Sequence, residues 1–173
     1  MKAATHIPDP LPHKAAPKDS PDDYITTETV TFVWHKVPKR WVKATAVGRY
    51  VHLHPYSEEA VVFHHGVDDS TGAHYFELTI PAPFYFAVSL APSFLRSRPG
   101  ACLHDCLYQI SDRLHKMLGI SLHDFLEMSD DWFHIQMEST GFLLADTYYE
   151  VVHTFGYFFH RVTNVLKFWK TDK

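Results

Sequence analysis

The apolar residues of this chain change their repeat once, at a proline-bearing stretch, residues 81–97. Before it, β-branched and aromatic side chains alternate with polar ones. Thr27-Glu28-Thr29-Val30-Thr31-Phe32-Val33-Trp34 repeats every two residues, the period of a strand with one buried face. After it, Pro99-Gly100 heads a stretch with no further breaker until Gly119, enough for about five turns of helix. A period of two followed by a helical period predicts an α+β fold. A small antiparallel sheet of four or five strands occupies the N-terminal half, and helices follow it.

The expected strands are Thr27–Trp34, Trp41–Val47, Gly48–His54, Glu59–His64 and His74–Ile80. The last two are separated by the turn cluster Gly66-Val67-Asp68-Asp69-Ser70-Thr71-Gly72, which reads as a hairpin loop. His52 and His54 alternate onto one strand face, a pattern that a chelating pair and an ordinary solvated face share. Residues 81–97, with Pro81, Pro83 and Pro92, read as a loop. Residues 98–173 read as three helices: the stretch after Pro99, then Ser121–Met137, then a long helix from Thr140 onward with Gly156 as a candidate break. Ser121 is the expected N-cap of the second, with Asp124 at its third position. Residues 25–173 are therefore expected to form a single domain.

Residues 1–24 differ in kind. They hold five prolines and almost no large apolar residue, so they read as an extended arm outside the core. Such an arm is either a solvated tail or a strap laid on a partner, with Ile7, Leu11 and Tyr24 as the side chains able to dock. At the other end of the chain, Phe158 and Trp169 belong to an apolar helical surface that is either a core wall or a second partner contact.

Several classes of function are disfavoured. A formal net charge of −4 leaves no electrostatic footprint for nucleic acid. The start, Met1 to Pro8, lacks the apolar segment of a signal peptide. No window reaches 18 apolar residues without charge, so no membrane span is expected. Cys102 and Cys106 lie four apart, a helical spacing that suits a disulfide poorly, and read as reduced thiols in a core.

The candidate chemistry lies in Ala101-Cys102-Leu103-His104-Asp105-Cys106-Leu107-Tyr108. On a helix His104 and Tyr108 share one face, and Asp105 is turned about 100° away. Asp146, Glu150 and His153 recur at i, i+4 and i+7 in the third, otherwise apolar helix. Buried ionisable groups must be paired, which makes Asp146 the expected partner of His104 and Tyr108. The cluster is then either a hydrogen-bonded clamp between helices or a His–Asp dyad that activates water, with Asp105 as a cation ligand. A third reading uses His104, Asp105, Asp146 and His153 to bind a metal.

Ile80-Pro81-Ala82-Pro83-Phe84 through Pro92-Ser93-Phe94-Leu95, then His104-Asp105-Cys106-Leu107-Tyr108, then Ala145-Asp146 resemble a phage-encoded family of unknown function. Its pattern runs V-P-A-G-F-x-T-D-x-A-S-x-P-R-F-L, H-D-x-L-Y and A-D-x-x-F. The resemblance covers roughly residues 74–160. It implies a virion structural or assembly component, located in the virion and in host cytoplasm during assembly. Its partners would be other virion proteins or copies of itself, reached through the arm. The same H-D-x-x-Y and A-D blocks are similar to phospholipase A2, including the lipase domain of parvovirus capsids. That likeness implies His104 as general base, Asp146 as its orienting partner, Tyr108 as support and Asp105 as a Ca²⁺ ligand. The chain departs from both patterns in its loop, where Phe86-Ala87 replaces Thr-Asp, Pro83 replaces Gly and Ser93 replaces Arg. The glycine-rich calcium loop of the lipases is missing, so the reading carried forward is a virion component on a degenerate hydrolase-like domain, needing no cofactor. The alternative is an active lipid or ester hydrolase that uses Ca²⁺.

Overall fold

A computed structural model describes residues 5–6, 11–18, 20, 22–53, 59–87 and 98–154. The strands are β1 (Thr5–His6), β2 (His13–Ala15), β3 (Tyr24–Thr26), β4 (Val30–Trp34), β5 (Gly48–Leu53), β6 (Ala60–Val67), β7 (His74–Ile80) and β8 (Tyr85–Phe86). The helices are α1 (Lys39–Ala44), α2 (Arg98–Leu118), α3 (Leu122–Ser139) and α4, described over residues 145–154. The fold is α+β, as the change of repeat predicts. Among the described residues no helix is long and apolar enough to cross a membrane.

Five strands form one antiparallel sheet in the order β1-β4-β7-β6-β5. Alternation decides what it buries. Val30, Phe32 and Trp34 of β4, Val61 and Phe63 of β6, and Phe76, Leu78 and Ile80 of β7 all point inward and are buried. Pairing places Phe32 opposite Leu78 and Trp34 opposite Phe76, so large side chains meet across the strands. They share one core with Leu103, Leu107 and Ile110 of α2 and Phe125 and Trp132 of α3. Trp34 stacks on Trp132 with ring centroids 5.7 Å apart. Each such side chain contributes about 1.5–3 kcal/mol by leaving water. Cys102 and Cys106 are buried free thiols in this core, and burial pushes both of their pKa values up, which leaves them unreactive.

The helix ends are built by local chemistry. Ser121 caps α3, accepting from the Asp124 amide at 3.0 Å. Gly119 ends α2 with φ +74°, and the Gly119 and Ile120 amides donate to the Lys116 and His115 carbonyls. Gly141 ends α3 in the same way, with φ +68° and the Gly141 and Phe142 amides on the Glu138 and Met137 carbonyls. Both are Schellman turns, which need the left-handed conformation that glycine adopts freely. The expected helix from Thr140 onward is therefore corrected. Gly141 closes α3 and reverses the chain, and α4 starts at residue 145. Gly156, Phe158 and Trp169 lie outside the described residues, as do Ile7 and His54.

Three further expectations change. Residues 41–44 of the expected strand Trp41–Val47 are helical, as part of α1. Pro38 leads into this turn, Thr45 closes it by donating from Oγ1 to the Trp41 carbonyl at 2.8 Å, and Trp41 Nε1 donates to Asp131 on α3 at 2.7 Å. The loop 81–97 contains β8, which joins a second sheet in the order β2-β3-β8; residues 88–97 lie outside the described residues. The arm is not wholly apart from the domain. Leu11 is 4% exposed and belongs to the core, and β2 and β3 make the second sheet. Arg98 Nη1 donates to His13 Nε2 at 2.7 Å, while its guanidinium lies over the Tyr24 ring at 4.3 Å. Leu11 and Tyr24 therefore dock on their own chain. Proline content reports the stiffness of the arm, not where it lies.

Burial of Leu11 has a direct test. Leu11→Ala should lower the unfolding free energy by about 2–5 kcal/mol, the cost of a large-to-small change in a core, measured by urea denaturation. A midpoint equal to that of the unaltered chain would return the arm to the solvated-tail reading.

Candidate functional site

The α2 and α3 helices pack side by side and meet over one buried carboxylate, Asp130, 3% exposed. Tyr108 donates its hydroxyl to Asp130 Oδ1 at 2.8 Å. His104 Nε2 lies 3.3 Å from the same oxygen. His153, on α4, brings Nδ1 to 3.6 Å from Asp130 Oδ2. His104 and Tyr108 share a face as the helical repeat requires, with ring centroids 4.0 Å apart. Phe133, one turn beyond Asp130 on α3, covers the imidazole at 5.0 Å.

The expected pairing of Asp146 with His104 and Tyr108 is thus corrected. Asp146 has a side chain 90% exposed and pairs with His134 Nε2 at 2.8 Å. The sequence carried a usable signal for the true partner. Asp130 lies, with no breaker near it, in the helix directly after that of His104, so the two helices can pair as neighbours. Read as part of an amphipathic helix, however, Ser129-Asp130-Asp131 looks like a solvated face. Glu150 is exposed, whereas His153, singled out beside it, does reach the site.

Charge organises the cluster. Burial alone would depress the His104 imidazole, but Asp105 and Asp130 outweigh it and hold His104 up to about 9. Its Nδ1 faces Asp105 Oδ1 at 3.9 Å and its Nε2 faces Asp130, so each ring nitrogen has a carboxylate beside it. Burial, then the Asp130 charge, push the Tyr108 hydroxyl far up, which keeps it a neutral donor. Asp105 uses its other oxygen to accept from the Ala87 amide at 2.7 Å, tying α2 to the segment after β8. The arm brings another carboxyl near this end, since burial and then Asp105 raise Asp22. Asp131, next to Asp130 but turned away from it, accepts from Trp41 and from Tyr149 at 3.2 Å and pairs with Arg40.

Comparison with family models, with characterised proteins and with solved structures found no match. The chemistry of the cluster therefore rests on its geometry. The residues do not fit a calcium site. That ion takes six to eight oxygens, whereas Asp105 has one oxygen on an amide and the other facing an imidazolium, and Phe86, where the phage pattern has a hydroxyl, is buried in the core.

A second histidine is buried in the sheet. His65, on β6, lies between the Thr45 hydroxyl, the Ala46 carbonyl and His74, with His65 Nε2 2.9 Å from His74 Nδ1. Burial lowers its pKa, so it is neutral where His104 is charged.

Two outcomes follow for stability. Asp130→Ala leaves a buried imidazolium short of a partner and should cost about 3–5 kcal/mol, whereas Asp146→Ala should stay within about 0.5 kcal/mol. The reverse ranking in denaturant melts would restore Asp146 as the partner. For pH, folded His104 keeps its proton up to about 9, whereas the unfolded residue loses it near 6.5. Its stabilisation is complete below about pH 6.5 and is lost as pH rises to about 9, at up to about 1.4 kcal/mol per unit. His65 has the opposite sign, because below about pH 6.5 the unfolded chain takes up a proton that the folded one resists. Stability should peak near neutrality, and His104→Gln should flatten the alkaline limb alone. An alkaline limb unchanged in that variant would assign it to another group.

Proposed function

We propose that this chain is a bacteriophage virion component, tail- or head-associated, in which a hydrolase-like helix pair serves as a building block and its His–Asp–Tyr cluster as a clamp. The observation that carries the non-catalytic reading is the placement of His104 between two carboxylates. A general base needs a neutral imidazole with a free lone pair. An imidazole held protonated up to about 9 has none to offer water at neutral pH. The loop gives the same indication. Phe86 fills the core and the Ala87 amide is spent on Asp105. The phage assignment is supported by the ordered blocks from Ile80 to Leu95, from His104 to Tyr108 and at Ala145-Asp146. With Leu11 and Tyr24 docked on their own chain, the assembly contacts fall to other surfaces. The exposed apolar side chains Leu143, Leu144 and Val151, around the α3–α4 connection, suit that role.

A second reading, a phospholipase A2-like hydrolase, is favoured by one feature. His104 and Tyr108 converge on a single buried aspartate, the relation that the likeness implies, with Asp130 in place of Asp146.

Both readings meet in one assay. Purified protein should release no fatty acid from phospholipid vesicles, with or without Ca²⁺. Release that disappears in His104→Gln would replace the clamp with the hydrolase. The virion assignment is checked separately by mass spectrometry of purified particles of the encoding phage, where the chain should be present. Its absence from particles would remove that assignment and leave the clamp intact.

A further inference from the structure

We propose that His134, Glu138 and Asp146 form a divalent-cation site of the zinc type that pins α4 to α3. None of its three ligands belongs to the Asp130 cluster, and it does not depend on the virion reading. His134 and Glu138 stand four apart on α3 and share a face. The Schellman turn at Gly141 folds the chain back, so that Asp146, in the first turn of α4, returns over that face with Oδ1 2.8 Å from His134 Nε2. One donor atom from each of the three residues lies within 4.8 Å of the other two.

The imidazole is oriented before any ion arrives. His134 stacks on Tyr149 with centroids 4.6 Å apart and 25° between planes. Tyr149 is fixed in turn by its hydrogen bond to Asp131 and by a second stack on His153 at 5.3 Å. Nε2 is thereby aimed at Asp146. The carboxylates can move: Glu138 is exposed, and the Asp146 side chain is 90% exposed. In a tetrahedral zinc site bonds of about 2.0–2.2 Å place the ligand atoms roughly 3.3–3.6 Å apart. Reaching that geometry takes rotation of two exposed side chains, with the Asp146–His134 hydrogen bond opening to admit the ion.

The donor set selects the ion. One imidazole with two carboxylates suits Zn²⁺ and its first-row neighbours, whereas Mg²⁺ and Ca²⁺ prefer oxygen alone. Charge also favours it. Two carboxylates converge on one imidazole, and a divalent cation placed among them is attracted to both. Three protein ligands leave one position for water.

The full-length chain, stripped with chelator, is titrated with Zn²⁺ by calorimetry, and with Co²⁺, whose visible absorption reports tetrahedral ligation. One Zn²⁺ should bind per chain, with no comparable binding of Mg²⁺. His134→Ala, Glu138→Gln and Asp146→Asn should each weaken it by roughly tenfold or more and remove the Co²⁺ bands. His64→Ala, elsewhere on β6, should change neither, which separates this site from the other histidines. The Glu138 and Asp146 changes are at exposed positions, and circular dichroism checks that those variants stay folded. Zn²⁺ affinity and Co²⁺ bands that survive in Glu138→Gln and Asp146→Asn would overturn the site, as would binding lost equally in His64→Ala.

Discussion

The helical half of this molecule depends on two adjacent carboxylates in the middle of α3. Asp130 faces into the protein and gathers Tyr108 and His104 from α2 and His153 from α4. Asp131, turned about 100° along the helix, gathers Trp41 and Arg40 from α1 and Tyr149 from α4. A buried carboxylate is tolerated only when its oxygens are occupied. Each partner thereby fixes the position of its own helix, and two consecutive residues set the register of four. Apolar packing alone tolerates a slide of a fraction of a turn. A carboxylate with two named oxygens tolerates much less.

Whether such a cluster clamps or catalyses is decided by the second charge beside the histidine. One carboxylate on one ring nitrogen orients an imidazole and leaves the other nitrogen to take a proton. Here Asp105 stands on the second side, and the two carboxylates together raise the His104 pKa to about 9. The imidazole then works as a bridge between two anions on α2 and α3. Buried ion pairs of this kind add little net stability compared with a well-packed apolar substitute, but removing one member is costly. That asymmetry makes a change at any one member of the cluster costly.

The parts of the fold legible in sequence were those set by local rules: the alternation of β4 and β7, the glycine stop of α2, the Ser121 cap, the shared face of His104 and Tyr108, and the reduced state of Cys102 and Cys106. The parts that were not legible are set by tertiary contacts. Trp41 lies in a segment rich in strand formers, yet its indole N–H reaches Asp131 and residues 39–44 turn as a helix. Leu11 sits among prolines that signal a stiff arm, and only the neighbouring β3 and α2 reveal that the arm returns to the core. Asp130 gives no sign of its burial in sequence, because an Asp-Asp pair in an amphipathic helix ordinarily faces water. Asp146 was preferred because its helix is more apolar, but the turn at Gly141 rotates Asp146 out to His134.

The helix half of the site, His104, Tyr108 and Asp130, and its loop half, Phe86 and Ala87, carry different energetic constraints. In the helix half, any change at Asp130 strands a buried cation and a buried phenol, and any change at His104 leaves a buried carboxylate short of a donor. These residues hold one another in place whether or not a reaction occurs. The loop half has no such reciprocity. A hydroxyl or carboxylate at the positions of Phe86 and Ala87 would be held only by a cation or a substrate. Without either, an aromatic ring that can pack beside Tyr24 and His13, as Phe86 does, contributes more to the fold than a polar group with no partner. The buried triad of His104, Tyr108 and Asp130 and the apolar loop at Phe86 each satisfy the fold without a ligand.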